Sequence, residues 1–199
     1  MFSMTSDSSV RFLKALSRVC GWTYTFAWSA SFYPQPLLNA KRRSVQGMGI
    51  DFPILNVFGF LCYSISTTAL LYSPLIRSQY AARHPVSLEP TVRFNDLVFG
   101  LHAVVLTALT YSQFFPKLWG FEVSKSHRIA RPVAGVFWGC ICAVLIVILI
   151  VLIKGQARHY DPLAWAWIDV VSEIGRLQAW SLIETDIHPW VCQSSRHLC

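Results

Sequence analysis

Four stretches of the chain, 19–40, 52–76, 97–116 and 132–153, contain no Asp, Glu, Lys or Arg. A hydrocarbon core about 30 Å thick needs roughly 20 helical residues, so each stretch is long enough to span a bilayer. Backbone amides in hydrocarbon must be satisfied within the segment itself, and the short alternating strands of a barrel are absent. The pattern therefore predicts an all-α integral membrane protein with four spanning helices. The connections are short enough to make neighbours antiparallel. The second of them carries Pro74, Pro85 and Pro90 and is expected to be extended rather than helical. Residues 1–18 form an N-terminal tail with Arg11, Lys14 and Arg18 and no cleavable-signal pattern. After Ile153, the apolar run Pro162 to Val171 is interrupted by Glu173, Arg176, Glu184 and Asp186, which are expensive to insert. The segment 160–199 is thus expected to be non-spanning, with an interfacial helix in it.

Composition agrees with the pattern and narrows the partners. With 54% hydrophobic and 14% charged residues, the chain is too apolar for a water-soluble domain. The net charge of +7 does not indicate nucleic acid, because the 17 Lys and Arg are dispersed among short connections, as membrane loops are. Lipid is the implied environment. Basic residues divide almost evenly between the two sets of alternating connections, so their distribution does not orient the protein. Of the 6 cysteines, Cys20, Cys62, Cys140 and Cys142 fall in or beside apolar runs, where they pack, so a disulfide framework is not expected. His188, Cys192, His197 and Cys199 match no zinc spacing, and no metal or cofactor is expected. No phosphate loop, nucleophile elbow or paired catalytic carboxylates occur, so an enzyme is not expected.

Polar residues inside the apolar stretches carry the candidate chemistry. Pro34 and Pro36 predict a kink or break in the first span, of the kind that serves a moving part. Around them Trp28, Phe32, Gln35 and Asn39 recur at helical spacing on one face. Two rings and two amides on one face suit a cavity for a polar solute with apolar parts. They equally suit interhelical hydrogen bonding. Asn56, Tyr63 and Thr67 repeat the pattern more weakly in the second span, and Gly135 and Gly139 form a small-xxx-small packing pair in the fourth. Asp96 opens the third span, as a helix N-cap or as a carboxylate able to take up a proton as solvent access alternates. His102 shares a face with Asn95 and Gln113 and reads as a satisfied interior histidine, while Asp51 reads as an N-cap.

The run Gly21 to Asn39 (GWTYTFAWSASFYPQPLLN) contains Tyr33-Pro34-Gln35 and is followed by Lys41-Arg42-Arg43-Ser44 and Gly47. With Asp51-Phe52, Leu55-Asn56 and the later Asn95-Asp96 and Leu101-His102-Ala103-Val104-Val105-Leu106-Thr107, it closely resembles the cystinosins of the PQ-loop family. The resemblance covers roughly Cys20 to Val171. It implies a transporter of seven helices, two three-helix bundles joined by a linking helix, that exports L-cystine from a lysosome or vacuole together with a proton. On this resemblance 19–116 is the first bundle and 132–153 the linking helix. Pro34 and Gln35 form the hinge; Trp28, Phe32, Gln35, Asn39 and Asn56 face the substrate path; and Asp96 couples the proton. The amino terminus is luminal and the first loop cytosolic. Among the prolines only Pro34 precedes glutamine, so a second PQ motif is missing and the chain is expected to represent a truncated first half. The alternative is a non-transporting or dimeric half-transporter that pairs with itself or with a full-length relative.

Overall fold

A computed structural model describes residues 2–123, 129, 131–154 and 164–179. The regular elements are α1 (Phe2–Ser31), α2 (Pro34–Arg42), α3 (Asp51–Tyr72), α4 (Pro74–Arg83), α5 (Phe94–Ser112), α6 (Pro116–Trp119) and α7 (Arg131–Lys154). A further helix, α8, covers 167–179. No strand occurs among the described residues; one isolated bridge pairs Ser44 with Glu122. This is an all-α membrane protein. Three helices, Asp51–Tyr72, Phe94–Ser112 and Val133–Lys154, are long and apolar enough to cross a bilayer. The tail residues His188, Cys192, His197 and Cys199, with most of the segment expected to be non-spanning, lie outside the described residues.

Several element boundaries differ from those expected. The first stretch is not one helix but two, broken at Phe32 and Tyr33, and α1 reaches back through the supposed tail to Phe2. No Gly or Pro precedes Gly21, so nothing stops a helix there. The second span ends at Tyr72, and Pro74 starts a helix instead of excluding one. Its missing N–H costs nothing at the first helical position, and the Ser73 hydroxyl accepts from the Ile76 N–H at 3.4 Å as a cap. Neither aspartate is an N-cap. Ile50 caps α3 and Asp51 lies buried in its first turn. Arg93 occupies the cap of α5, and Asp96 reaches back from the first turn to accept the Arg93 N–H at 2.7 Å.

The centre of the bundle is the α3–α5 pair. Gly100 permits it: a Cβ there would sit 2.8 Å from Ser64 Oγ and from the Tyr63 ring. Around this crossing Phe60, Phe99 and Ala103 are buried, with Phe32 and Tyr63 packed against them. The broken helix α1–α2 lies along another side of α5. At the end where α2 finishes, Val45, Phe114 and Phe121 form a second cluster. There α2 closes with Arg43 in the left-handed region (φ 48°) while Ser44 N–H bonds Asn39 O and Arg43 N–H bonds Ala40 O. Gly47 follows at φ 92°, a conformation that explains a glycine in this turn. At the opposite end α8 packs against α4 and α7 through Ile168 and Val171 on Ile76, and Val170 on Val147 and Val151.

Candidate functional site

The break follows from the two prolines. Pro34 and Pro36 have no N–H, so the carbonyls of Ala30 and Phe32 lose their helical donors. Tyr33 N–H turns to Ala30 O and Phe32 N–H to Ser29 O, both at 3.3 Å, tightening the end of α1 before α2 resumes. Behind the bend lies a cavity of about 60 Å³, lined by Ser31, Phe32, Gln35, Phe52, Pro53, Thr107 and Thr110. This is room for water and far below the roughly 300 Å³ of a small-molecule pocket. In this conformation the space is closed to a solute the size of an amino-acid dimer.

Of the residues expected on one face, the structure joins three. Phe32 and Gln35 line the cavity, and Gln35 Nε2 donates to Asn39 Oδ1 at 3.0 Å. Asn39, 3% exposed, donates to Gln113 Oε1 at 2.8 Å, and Gln113 Nε2 donates to the Pro36 carbonyl at 3.0 Å. Phe32 meets Phe60 edge-on at 5.3 Å between centroids. Trp28 is half-exposed beside Tyr24 and does not line the cavity. Asn56 is buried and gives its amide to Phe52 O at 2.8 Å within its own helix. Thr107 and Thr110 likewise donate to Ala103 O and Leu106 O, leaving hydroxyl lone pairs for a donor in the cavity. Asp96 is 14 positions before Thr110 on α5, about 21 Å away along the axis, at the other end of the bundle.

The shared face of Asn95, His102 and Gln113 turns out to be the seam between α5 and the broken helix. Asn95 Nδ2 meets Thr25 Oγ1 at 3.5 Å, His102 Nε2 pairs with the Tyr33 hydroxyl at 2.9 Å, and Gln113 holds α2. Arg93 adds a bond to Ser17 Oγ at 3.0 Å. Sequence reasoning had the face but not its partner, and it passed over Thr107, Thr110 and Pro53, which carry no distinguishing pattern. It also passed over a polar junction outside the spanning segments. There Arg83 of α4 donates to both carboxylate oxygens of Asp169 and to Ala164 O, while Gln79 Oε1 accepts from the Ile168 N–H. Burial alone would raise the Asp169 pKa; the bonds from Arg83 and from the Ala166 N–H, with the charges of Arg83 and Arg176, together hold it below the usual carboxylate value.

Residues 16–76 match the PQ loop repeat model. A cystinosin from Drosophila melanogaster is 34% identical over 160 residues, 80% of this chain and 38% of the relative. The cystinosin of Bos taurus is 43% identical over 98 residues, 49% of this chain and 26% of the relative. A protein of Saccharomyces cerevisiae named cystine transporter is 25% identical over 120 residues, 59% of this chain and 44% of the relative. The chain spans at most about half the length of the curated relatives it matches. The bent helix at Tyr33-Pro34-Gln35 thus lies within a PQ loop repeat, in a multi-pass membrane protein similar in sequence to the cystinosins.

Proposed function

We propose that this chain supplies the first bundle of a proton-coupled transporter that exports L-cystine from an acidic lysosome or vacuole to the cytosol. The observation that carries the reading is the bent helix α1–α2, with Phe32 and Gln35 bordering a small cavity against α3 and α5. Similarity to the cystinosins and to a protein named cystine transporter supports the substrate class. Cystine needs apolar contact for its disulfide and polar partners for its ammonium and carboxylate groups. Phe32, Gln35, Thr107 and Thr110 offer both once the bend opens. Sites of repeat transporters form between two bundles, so transport requires a second bundle beside this one. The co-transported proton is assigned to Asp96.

The test is uptake of labelled cystine by proteoliposomes holding the chain alone, or the chain co-expressed with the second half of a cystinosin. Proton-driven uptake is expected in the second case only, and Gln35→Ala and Phe32→Ala are expected to reduce it. Absence of both cystine binding and uptake in every combination would remove the reading. The second reading, a half-transporter that pairs through α7, rests on the open space around Gly135 and Gly139, where an added Cβ meets nothing within 4 Å. That face is available to another helix. Uptake by the chain alone, scaling with the square of its density in the membrane, would favour this second reading.

A further inference from the structure

Gln113 has a place that the site's own residues do not explain. It is 2% exposed, the largest of the fully buried side chains, and sits at the end of α5 facing α2. Both halves of its amide are used: Nε2 donates to Pro36 O at 3.0 Å and Oε1 accepts from Asn39 Nδ2 at 2.8 Å. A backbone carbonyl can only accept, so the Pro36 carbonyl fixes which end of the Gln113 amide faces it. With that end fixed, Gln113 Oε1 must receive Asn39 Nδ2. Asn39 Oδ1 is then left to receive Gln35 Nε2, at 3.0 Å. The direction of the whole amide chain is therefore set by one obligate acceptor, and the chain ends at Gln35, which borders the cavity and whose carbonyl oxygen takes no part in it.

We infer that Gln113 is the positioning residue of the site: it locks α2 to α5 and orients the amide chain so that Gln35 presents an acceptor to the cavity. The matching ligand group is a cation with hydrogens to donate, an ammonium. This deepens the cystine reading and rests on it for the identity of the ligand, but the lock itself does not depend on transport. Because Pro34 and Pro36 remove backbone donors at the start of α2, side-chain tethers must hold that helix in place. Confined by them, the bend falls at Phe32 and Tyr33.

Gln113→Met keeps the shape and removes both bonds. The purified chain in nanodiscs is compared with this variant by hydrogen exchange and, co-expressed with the second half of a cystinosin, by binding of cystine and of 3,3′-dithiodipropionate, which has the disulfide and carboxylates but no ammonium. Exchange over 34–42 is expected to rise about tenfold, with 51–72 and 94–112 unchanged, since loss of a buried hydrogen bond is worth about that factor locally. Cystine affinity is expected to fall by a similar factor, while binding of the des-amino analogue stays the same. Unchanged exchange over 34–42, or an equal rise in α3 and α5, would overturn the lock. An equal loss for the two ligands would overturn the assignment of an ammonium to Gln35. If cystine binds neither to the chain nor to the chain joined by a second bundle, yet exchange in α2 rises alone, the lock stands and the transport reading is what fails. Asn39→Leu breaks the same chain at its middle and gives the same exchange pattern, should Gln113→Met not fold.

Discussion

Arg83 makes the sharpest prediction about stability. Its guanidinium donates to both Asp169 oxygens and to Ala164 O, and the pair is partly buried, with side-chain exposures of 20% and 23%. Arg83→Met removes all these bonds and leaves Asp169 with the Ala166 N–H at 2.7 Å and the charge of Arg176. Breaking a buried pair by removing one partner costs about 3–5 kcal/mol; with a fifth of each side chain still wet, about 3 kcal/mol is reasonable, roughly a hundredfold in the local opening constant. Hydrogen exchange of 164–179 reads this directly, and α3 and α5 serve as internal references. The double variant with Asp169→Asn should recover much of the loss, because the uncompensated charge is gone. The sign of the pH effect follows from the lowered pKa of Asp169. The contribution is complete above the unfolded-state value of about 3.9 and disappears as pH falls through the folded-state value. The junction therefore stays closed in a moderately acidic compartment and opens only in stronger acid, and Asp169→Asn abolishes that acid step. Protection of 164–179 that is the same in Arg83→Met as in the parent chain would refute the reasoning.

Gly100→Ala forces a methyl to within 2.8 Å of Ser64 Oγ and the Tyr63 ring, so it is expected to cost about 1–3 kcal/mol in detergent unfolding; Gly139→Ala, with nothing within 4 Å, is the matched control and is expected to be neutral or better. Cysteines placed at Lys41 to Arg43, where α2 ends, are expected to label from the cytosolic side, and cysteines between Arg83 and Phe94 from the lumen; the reverse pattern would invert the proposed topology. In the chain completed by a second bundle, Asp96→Asn is expected to reduce pH-driven cystine flux without affecting insertion, and an unchanged pH dependence would leave Asp96 only its bond to the Arg93 N–H.

What was legible in the sequence was whatever a single helix determines. Charge-free stretches of adequate length located α3, α5 and α7, and paired prolines located the bend. The spacing of Asn95, His102 and Gln113 located a polar face on α5. Which helix that face meets is a question of packing, and no local pattern carries it: Thr25, Tyr33, Pro36 and Asn39 are brought opposite by the course of α1–α2. Of the prolines in the second connection, Pro74 alone was misread, and for a related reason; Pro85 and Pro90 lie in non-helical chain as expected. Pro74 reads as a helix breaker from within a helix but is harmless at a first turn, and the preceding Ser73 was the available sign of a cap. Arg83 and Asp169 are 86 positions apart, one in a loop segment and one in a run treated as the start of a non-spanning tail, so nothing in either neighbourhood announces the other.

In the proposed transporter, the separation of Asp96 from the cavity constrains how a proton there would act on a substrate beside Gln35. Across about 21 Å, at the effective dielectric near 20 that describes charges in proteins, a unit charge changes the energy of another by less than about 1 kcal/mol, too little to drive an alternation between two conformations. Proton and solute must then communicate through something rigid. α5 is the element that touches both, and it bonds the bent helix at every level: Arg93 and Asn95 to α1 near Asp96, His102 to Tyr33 at the bend, Gln113 to α2 beyond it. Asn95 Nδ2 is shared between Thr25 Oγ1 at 3.5 Å and Asp96 Oδ1 at 3.4 Å, both long bonds. In that proposal a proton on Asp96 removes the charge that attracts this amide and weakens the acceptor for the Arg93 N–H, so its first effect falls on the start of α5, where Asn95 Nδ2 is left with Thr25 Oγ1 on α1. The far end of the seam, with buried bonds of 2.8 and 3.0 Å, is unaffected. On the proposed coupling, then, the proton acts at the contact of α5 with α1 while α5 keeps its hold on α2, and the break at Phe32 and Tyr33 is the joint between the two arms.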